Sequence, residues 1–408
     1  MKASRGLPVF VVSKKSESKL RAGHPWVYDN EIEQSPDLAE NGSVVDVVSQ
    51  KGTYLGSGLL SEKSKIRIRL ISQNANDRFD ESFWKRAVKY AVDYRAAVMG
   101  EGFSACRLVF GEADRLPGLT VDKYGDILSV QVLSYGIERV KGIIYKALVY
   151  ELAQHGVAVR GIMERNDAAI RELEGMEQYK GWYEADFLPP APSPVTQIEE
   201  NGIIYEVDVL NGQKTGFFLD QKYNRLAAAK LAAGRRVLDC FTHTGSFALN
   251  AAKGGAEHVT AVDVSQLAVD TARENARRNG LLDRMDFICE DVFELLPRLK
   301  EEGARYDFII LDPPAFTKSR KTIGSAERGY KEINLRAMRL LPRGGFLATA
   351  SCSHFMDSER FLKMVKSAAD DAGVTLRLIE ARKQSPDHPI LLGVEETDYL
   401  KFYLFQVI

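Results

Sequence analysis

Residues 237–263 read VLDCFTHTGSFALNAAKGGAEHVTAVD, and their order of apolar, small and charged residues predicts a complete βαβ unit. The first apolar run predicts a strand that ends at Asp239, and the small residues 242–246 predict a sharp turn. A helix is predicted over 247–253, because two glycines then end the pattern. A second β-branched run ends at Asp263 and predicts the next strand of an open α/β sheet.

The turn of this unit indicates which ligand it binds. An acid at the end of the second strand, here Asp263, is placed to accept hydrogen bonds from a ribose. A dinucleotide-binding turn has the pattern G-x-G-x-x-G, whereas this turn has the single glycine Gly245. The turn therefore favours a nucleoside ligand without a phosphate, such as S-adenosylmethionine. From this stretch alone, an α/β crossover without a ligand remains an alternative.

Composition sets the class of protein. The chain has 408 residues, enough for two or three domains, and its 45% hydrophobic and 27% charged content is typical of a soluble globular protein. The net charge of −1 means that a polyanion would have to bind local basic patches. Neither a signal-peptide pattern nor an apolar run of about 18 residues is found, so no membrane span is predicted. Four scattered cysteines without C-x-x-C pairs argue against a metal site and predict a cytoplasmic protein.

Three domains are predicted along the chain. Residues 1–72 contain short strand-like runs between Gly, Asn and Ser and predict a small β-rich domain. Residues 73–192 predict a central α/β domain, which ends in a proline-rich stretch. Residues 193–408 alternate strand and helix patterns and predict an α/β domain with a mostly parallel sheet.

Basic residues in the first predicted domain are candidates for RNA binding. The run 66–70 alternates apolar and basic residues, which predicts one buried face and one positive face. Lys65, Arg67 and Arg69 are therefore predicted to bind phosphates. From this segment alone, ordinary solvated side chains explain the pattern equally well.

Four acids follow apolar runs in the third predicted domain. Asp239, Asp263, Asp291 and Asp312 each stand at the carboxyl end of a predicted strand. In open parallel sheets these ends meet at one edge, where the ligand lies. Buried unpaired carboxylates are costly, so packing alone does not explain such a set. The acids therefore predict a binding site at this edge.

The sequence D-P-P-A-F at residues 312–316 predicts a contact with a nucleobase. Asp312 is able to accept a hydrogen bond from an amino or ring N–H, and Phe316 is able to stack on the ring. Pro313 keeps the turn rigid. The motif is close to the loop of adenine and guanine N-methyltransferases. Methylation of an exocyclic nitrogen therefore remains an alternative, because it needs only this loop.

Cys352 favours a different acceptor atom. It follows the neighbouring predicted strand, within Ser-Cys-Ser. Carbon 5 of cytosine is not nucleophilic by itself, and a thiolate must first add to C6. A cysteine near a flipped base supplies that thiolate when its surroundings favour ionisation. A cysteine that only packs in the strand remains the alternative.

Taken together, these motifs resemble the RlmI-type family of bacterial 23S rRNA cytosine-C5 methyltransferases. The resemblance covers nearly the whole chain. The matching segments, besides the 237–263 unit, are GHPW at 23–26, GEAD at 111–114, TGFFLDQ at 215–221, DPPAF at 312–316, RGYKEIN at 328–334, SCS at 351–353 and DHP at 387–389.

The resemblance implies an α/β protein with a C-terminal Rossmann-like class I methyltransferase domain, a small N-terminal β-rich PUA domain and a central α/β domain. It also implies S-adenosylmethionine as cofactor, 23S rRNA as partner, no metal, and a homodimer. Cys352 would be the nucleophile and Asp312 would hold the cytosine. The predicted cofactor-binding residues are Asp239, Phe241, Thr244, Gly245, Asp263 (ribose), Val264, Asp291 (adenine amino group), Val292, Asp312, Gln221 and Arg225. The predicted substrate-binding residues are Phe316, Pro313, Lys318, Lys65, Arg67 and Arg69.

The chain departs from many RNA cytosine-C5 methyltransferases at one point. These often have a second cysteine in the fourth-strand motif, where this chain has Pro314 or Ala315. It therefore resembles a branch with a single catalytic cysteine. The base that removes the C5 proton is open, with His354 and Lys318 as candidates. A non-catalytic RNA-binding factor is a third hypothesis, and the four strand-end acids argue against it.

Overall fold

The computed structural model describes residues 6–317 and 322–408, so the predicted substrate residue Lys318 lies outside the described residues. The chain divides into two compact units. The first comprises Met1–Ile198, Val207–Leu219 and Pro386–Thr397, and the second comprises Glu199–Glu206, Asp220–Ser385 and Asp398–Ile408. The three predicted domains stay a prediction. No helix among the described residues has the length and apolar character needed to cross a membrane.

The first unit begins with a six-stranded sheet in the order β2-β6-β5-β4-β1-β3. Its buried core includes Val12, Leu20, Val27 and Ile68. The elements are β1 (Val9–Val12), α1 (Lys14–Arg21), β2 (Trp26–Tyr28), β3 (Ile32–Gln34), β4 (Val44–Ser49), β5 (Tyr54–Leu60) and β6 (Ile66–Ser72). These bounds confirm the strand-rich pattern predicted for this segment.

A five-stranded sheet in the order β11-β10-β9-β8-β7 follows in the same unit. Helix α2 begins after Asp80, whose side chain accepts hydrogen bonds from the N–H groups of Ser82 and Phe83. The elements are α2 (Glu81–Met99), β7 (Ala105–Phe110), β8 (Leu119–Tyr124), β9 (Ile127–Val132), α3 (Tyr135–Gln154), β10 (Gly161–Asn166), α4 (Ile170–Leu173) and β11 (Tyr179–Trp182). Helix α2 precedes this sheet, and α3 connects β9 to β10.

The prediction that Arg69 lies on an exposed positive face of β6 is wrong. This residue is 8% exposed, and its Nη2 lies 2.8 Å from Oε1 of the buried Glu174. Arg67 is half-buried and donates a hydrogen bond of 3.0 Å to the main-chain oxygen of Ser61. Only Lys65 is exposed among the three predicted phosphate-binding residues. Burial along β6 does not alternate as predicted, because Arg69 is covered by its pairing with Glu174.

Arg95 is the centre of a buried polar network in the first unit. Its side chain is fully buried and binds both carboxylate oxygens of Asp114, with 2.8 Å between Nη2 and Oδ2. The same guanidinium donates to the main-chain oxygens of Arg107 and Asp387, both at 2.9 Å. Asp387 in turn accepts the N–H of Arg107 at 2.8 Å through its side chain. The GEAD and DHP motifs therefore hold this unit together.

The GHPW motif has a packing role in the same unit. The Trp26 indole donates a hydrogen bond of 2.9 Å to Glu112 of the GEAD motif. Nδ1 of His24 accepts the N–H of Trp26 at 3.3 Å, and the two rings meet edge to face at 5.4 Å. These contacts are those of a packed histidine.

The hairpin β12 (Val195–Glu200) and β13 (Ile203–Asp208) leads to the seven-stranded sheet of the second unit, in the order β16-β15-β14-β17-β18-β20-β19. The pairing along β16-β15-β14-β17-β18 is parallel, and β20 is antiparallel to both neighbours. The elements are α5 (Lys222–Ala229), β14 (Arg236–Cys240), α6 (Ser246–Lys253), β15 (His258–Asp263), α7 (Gln266–Arg278), β16 (Met285–Cys289), α8 (Val292–Glu301), β17 (Phe308–Leu311), α9 (Ile323–Leu340), β18 (Phe346–Ser351), α10 (Ser358–Ala372), β19 (Leu376–Arg382) and β20 (Lys401–Val407).

The strand order confirms the predicted α/β sheet and defines its binding edge. The chain moves outward from β14 through β15 to β16, and then returns to the other side of β14 to form β17. In such sheets the ligand lies at the carboxyl ends, beside the strand where the order reverses. Helix α9 begins at Ile323.

We expect replacement of Arg95 by Met to lower the free energy of unfolding by about 3–5 kcal/mol, because Asp114 would keep a buried charge without its partner. Urea denaturation measures the change. Arg86→Met is the matched control, since Arg86 pairs with Asp77 at the surface and should contribute less than about 1 kcal/mol. Equal effects of the two substitutions would contradict this interpretation.

Candidate active site

The turn after β14 has a backbone conformation that side chains rarely adopt. Phe241 and His243 have φ angles of 66° and 51°, in the left-handed region, and Gly245 has 83°. Non-glycine residues in this region cost free energy and are concentrated at functional sites. The N–H of His243 donates a hydrogen bond of 2.9 Å to Oδ2 of Asp263. The strained turn is therefore tied to the end of β15.

Asp263 is held at the tip of β15 by main-chain donors. Besides the N–H of His243, it accepts the N–H of Ser265 on Oδ1 at 3.0 Å. The residue is half-exposed, and each carboxylate oxygen has a second lone pair. Its orientation suits the predicted role as an acceptor for ribose hydroxyls.

Asp239 is buried beneath the same turn. Its Oδ2 accepts the hydroxyl of Thr242 at 2.6 Å and the N–H of Ala248 at 2.9 Å. Burial raises the pKa of Asp239 to about 7, and the nearby charges of Asp312 and Asp263 raise it further against the effect of these hydrogen bonds. Its carboxyl group is therefore close to half-protonated at neutral pH.

Two polar atoms of this turn lack a partner within the described part of the chain. They are Oδ1 of Asp239 and Oγ1 of Thr244, and both are buried. Buried polar atoms in native proteins nearly always form a hydrogen bond, so an unpaired one indicates an absent ligand or water. A ligand with amino and hydroxyl groups, such as S-adenosylmethionine, fits this pair of atoms.

The other cofactor residues predicted just after β15 and β16 take different positions. Asp291 is exposed and caps α8, accepting the N–H of Phe293 at 2.8 Å. Val264 is 71% exposed, whereas Val292 is 2% exposed and belongs to the core. Asp291 and Val264 are thus accessible to a ligand at this edge. The side chain of Val292 is not, so only its main chain is left for the predicted cofactor contact.

The predicted cofactor residue Arg225 is enclosed in the protein. Its side chain is 1% exposed and pairs with the buried Glu200 through two hydrogen bonds of 2.6 and 2.9 Å. Its Nη1 lies 3.5 Å from the hydroxyl of Ser246, the first residue of α6. This placement makes Arg225 a support of the turn. Direct contact with the cofactor would need the Glu200 pair to open, which is costly for a buried charge.

Asp312 is oriented by a relay of amide side chains. Its Oδ1 accepts a hydrogen bond of 2.9 Å from Nε2 of Gln221. Oε1 of Gln221 accepts one of 2.6 Å from Asn224, whose Oδ1 accepts one of 3.1 Å from Nε of Arg382. Because each member donates to the next, the relay fixes the orientation of both amides. Gln221 therefore positions Asp312, in addition to its predicted contact with the cofactor.

Phe316 packs against helix α9. Its ring centre lies 4.6 Å from that of Tyr330 and 6.0 Å from that of Phe293. Gly329 makes this approach feasible, because a Cβ atom there would lie 3.2 Å from the ring of Phe316. Phe316 is half-exposed and Pro313 is buried. The predicted stacking of Phe316 on a base would use the part of the ring that this packing leaves uncovered.

Cys352 and Asp312 follow neighbouring parallel strands. β17 and β18 are paired in parallel with Leu311 opposite Thr349, and each strand ends shortly before one of the two residues. Parallel strands present their carboxyl ends at the same edge of the sheet. Cys352 is half-buried. The sheet thus brings together the two residues predicted to be catalytic.

The four cysteines differ in their accessibility. Cys106 and Cys240 are buried, Cys352 is half-buried and Cys289 is exposed. Cys289 is exposed because it lies on β16, the edge strand of the sheet. Within residues 6–317 and 322–408, no three His, Cys, Asp or Glu side chains come together as metal ligands.

Tyr330 is a site residue that the sequence reasoning missed. Its hydroxyl accepts a hydrogen bond of 3.0 Å from Ser351, the residue before Cys352. Burial raises the pKa of Tyr330 to about 12, and the charges of Cys352 and Asp312 add to this effect. The tyrosine hydroxyl therefore lies in the electric field of both residues. Its position within the RGYKEIN motif was the available signal.

Lys401 is the second residue that was missed. It is 3% exposed, and its Nζ donates to the main-chain oxygens of Ser353 at 2.5 Å and Tyr399 at 2.7 Å. Burial lowers the pKa of Lys401 to about 8, and the negative charge of Cys352 opposes that change. A lysine at the start of the apolar run KFYLFQV was the available signal.

His354, a candidate base, is exposed, with its ring centre 5.7 Å from that of Tyr399.

The sheet order and this edge define a class I methyltransferase, and comparison with known proteins agrees. Residues 163–406 match the family model of S-adenosylmethionine-dependent methyltransferases, and residues 10–73 match a PUA-like domain. The cofactor is therefore S-adenosylmethionine, in agreement with the unpaired polar atoms of the turn. The prediction of a PUA-like N-terminal segment is confirmed.

The chain is similar to curated proteins over almost its entire length. It is 38% identical to ribosomal RNA large subunit methyltransferase I of Klebsiella pneumoniae, with 98% of each chain covered. The protein of the same name from Aeromonas salmonicida is 40% identical, over 96% of this chain and 97% of that one. The chain belongs to the family of these methyltransferases.

Solved structures confirm the fold. An S-adenosylmethionine-dependent methyltransferase from Streptococcus mutans is 23% identical, with a TM-score of 0.80, over 98% of this chain and 100% of that one. A methyltransferase structure complexed with SAH has a TM-score of 0.82 at the same identity and coverage.

We expect Asp239 to contribute to the free energy of unfolding of the cofactor-free protein a part that falls as the pH rises from about 4 to about 7. The folded state keeps a proton on Asp239, which the unfolded chain releases at its lower pKa, so this stability is present in acid and is lost as the pH approaches 7. Asp239→Asn should remove up to about 4 kcal/mol of this pH dependence, as measured by urea denaturation at each pH. Parallel pH profiles of the two proteins would contradict the assignment.

Proposed function

We propose that this protein methylates carbon 5 of a cytosine in the RNA of the large ribosomal subunit, and that it does so in the cytoplasm. The observation that carries the proposal is the placement of Cys352 and Asp312 at the carboxyl ends of the paired parallel strands β17 and β18. The relatives at 38% and 40% identity, named as large subunit ribosomal RNA methyltransferases, support the class of substrate.

The reaction begins with the addition of the Cys352 thiolate to C6 of the cytosine. This step breaks the C5–C6 double bond and makes C5 nucleophilic. Asp312, held by Gln221, accepts a hydrogen bond from the amino group of the base and keeps the ring in place. S-adenosylmethionine supplies the methyl group that C5 takes up. A base then removes the C5 proton, the C5–C6 double bond re-forms, and the thiolate of Cys352 leaves.

The surroundings of Cys352 favour C5 as acceptor over an exocyclic nitrogen. Methylation of an amino group needs Asp312 and an aromatic side chain but no cysteine. Cys352 is half-exposed at the edge of the sheet, whereas a cysteine with a packing role alone is most often fully buried, as Cys106 and Cys240 are. The buried ammonium group of Lys401 beside it is also unexplained by nitrogen methylation.

Three further features belong to the same proposal. The base for the C5 proton is assigned to His354, because it is exposed near the end of β18. A homodimer is proposed from the family resemblance, and sedimentation velocity of the purified protein tests it. The PUA-like match over residues 10–73 supports contact of the first unit with RNA.

We expect Cys352→Ala to reduce formation of 5-methylcytidine by at least about 10³-fold, because no other residue supplies the addition to C6. The assay is nucleoside mass spectrometry of large-subunit RNA methylated by the purified protein. Cys289→Ser is the matched control and should retain full activity, since this exposed cysteine ends β16, which β15, β14 and β17 separate from β18, and serine keeps a donor for the main-chain oxygen of Val264.

The outcomes separate the three hypotheses. Full activity of Cys352→Ala, or a methylated guanine or adenine as product, would reject the cytosine reaction. Failure of the native protein to bind S-adenosylmethionine in calorimetry would instead favour a non-catalytic RNA-binding factor. RNA with 5-fluorocytidine should form a stable covalent complex with the native protein, because the fluorine at C5 prevents the final elimination.

The exposed Lys65 should contribute to RNA affinity through one phosphate contact. We expect Lys65→Ala to weaken binding and to reduce the slope of log K against log salt concentration by about 0.7–0.9. Arg69→Lys should leave this slope unchanged, since position 69 is paired with Glu174. Filter binding at several salt concentrations measures both. An unchanged slope for Lys65→Ala would exclude this residue from the interface.

A further inference from the structure

The buried ammonium group of Lys401 requires a physical explanation. The residue is 3% exposed, and its Nζ forms hydrogen bonds with two main-chain carbonyl oxygens, those of Ser353 and Tyr399. Among the residues that the structure describes, no carboxylate lies within ion-pair distance of it. A buried cation without an anionic partner is costly, and is retained where an anion forms nearby.

The pairing of β18 with β20 places this ammonium group beside Cys352. The two strands are antiparallel, and the Cα atoms of Ser351 and Lys401 are partners in the register. Cys352 is the next residue after Ser351, and the carbonyl of Ser353 receives the hydrogen bond from Nζ. The ammonium group is therefore anchored to the main chain immediately after the cysteine.

The other charges around Lys401 have partners of their own. Asp398 forms an ion pair with Lys383. Asp357 caps helix α10 and accepts the N–H of Arg360 at 2.8 Å. Asp220 accepts the hydroxyl of Tyr399 at 2.6 Å. Of the negative groups that face Lys401, the thiolate of Cys352 is the one that acts most strongly on it.

We propose that Lys401 is a positioning residue whose ammonium group, anchored by the carbonyl oxygens of Ser353 and Tyr399, stabilises the thiolate of Cys352. The same charge favours addition of the thiolate to C6 and its later departure from the methylated base. This inference rests on the proposed function for its catalytic meaning. Stabilisation of the thiolate is measurable without RNA or cofactor.

The ammonium charge has a limited pH range. Because burial lowers the pKa of Lys401 to about 8, the group is charged at neutral pH and loses its proton as the pH rises above 8. Its effect on Cys352 should therefore be large near pH 7 and vanish in alkali. A change in the accessibility of the cysteine would instead act equally at every pH.

The test is the rate of alkylation of Cys352 by iodoacetamide between pH 6 and pH 10, in the full-length protein with Cys289→Ser as background. Mass spectrometry identifies the alkylated residue. We expect Lys401→Met to slow the alkylation of Cys352 about tenfold at pH 7. The pH at which the alkylation rate is half its maximum should rise by about one pH unit. Near pH 10 the variant should be alkylated as fast as the background protein. Lys401→Arg keeps the charge and should retain the lower midpoint.

Two controls make the result specific. Lys383→Met removes an exposed charge near the site and should change the rate less than about twofold, because that lysine already pairs with Asp398. Thermal unfolding verifies that each variant is folded, and Lys401→Gln replaces Lys401→Met if the latter is not. An unchanged alkylation profile, or a slower rate at every pH, would overturn the proposal.

Methyl transfer separates this inference from the proposed function. With large-subunit RNA, Lys401→Met should lower kcat about tenfold at pH 7 with little change in KM, and the loss should shrink as the pH rises. A shifted alkylation profile without any 5-methylcytidine would leave the charge effect standing and reject the proposed reaction. Formation of 5-methylcytidine with an unchanged alkylation profile would support the proposed reaction and reject the charge effect of Lys401.

Discussion

The buried carboxyl group of Asp239 is the constraint around which the second unit is arranged. Its two hydrogen bonds to Thr242 and Ala248 join the end of β14 to the turn and to helix α6. The turn over this group has left-handed backbone at Phe241 and His243, and the N–H of His243 donates to Asp263. The same turn thus contacts both acids. The cost of burying Asp239 is offset when a ligand supplies the donor that Oδ1 lacks.

The strand order explains the position of Asp312 and Cys352, the half of the site proposed to bind the base that accepts the methyl group. Because β17 returns to the free side of β14 and β18 pairs with it in parallel, Asp312 and Cys352 reach the same edge as the cofactor turn. The reversed strand β20 then brings Lys401 next to the end of β18. Asp312 is fixed from another direction, through Gln221. Each reactive group is therefore held by an element that also forms part of the sheet, and such sites keep their geometry better than loops do.

Local pattern was sufficient to predict the βαβ unit, since apolar strands, turn glycines and helix caps are properties of short segments. It failed where the outcome depends on residues far away in the chain. The burial of Arg69 follows from Glu174 and that of Arg225 from Glu200, and no periodicity indicates either partner. Helix α1 was missed because its sequence KKSESKLR buries little beyond Leu20. Lys401 could be placed beside Cys352 only once the antiparallel pairing of their strands was known.

The charges of the site explain why its two halves act together. The negative charges of Asp312 and Asp263 contribute to the raised pKa of Asp239, and those of the Cys352 thiolate and Asp312 contribute to the raised pKa of Tyr330. The ammonium group of Lys401 is proposed to offset this negative charge only at the thiolate of Cys352. The sulfonium group of S-adenosylmethionine is positive, so its binding favours the ionised form of Asp239 and of the thiolate.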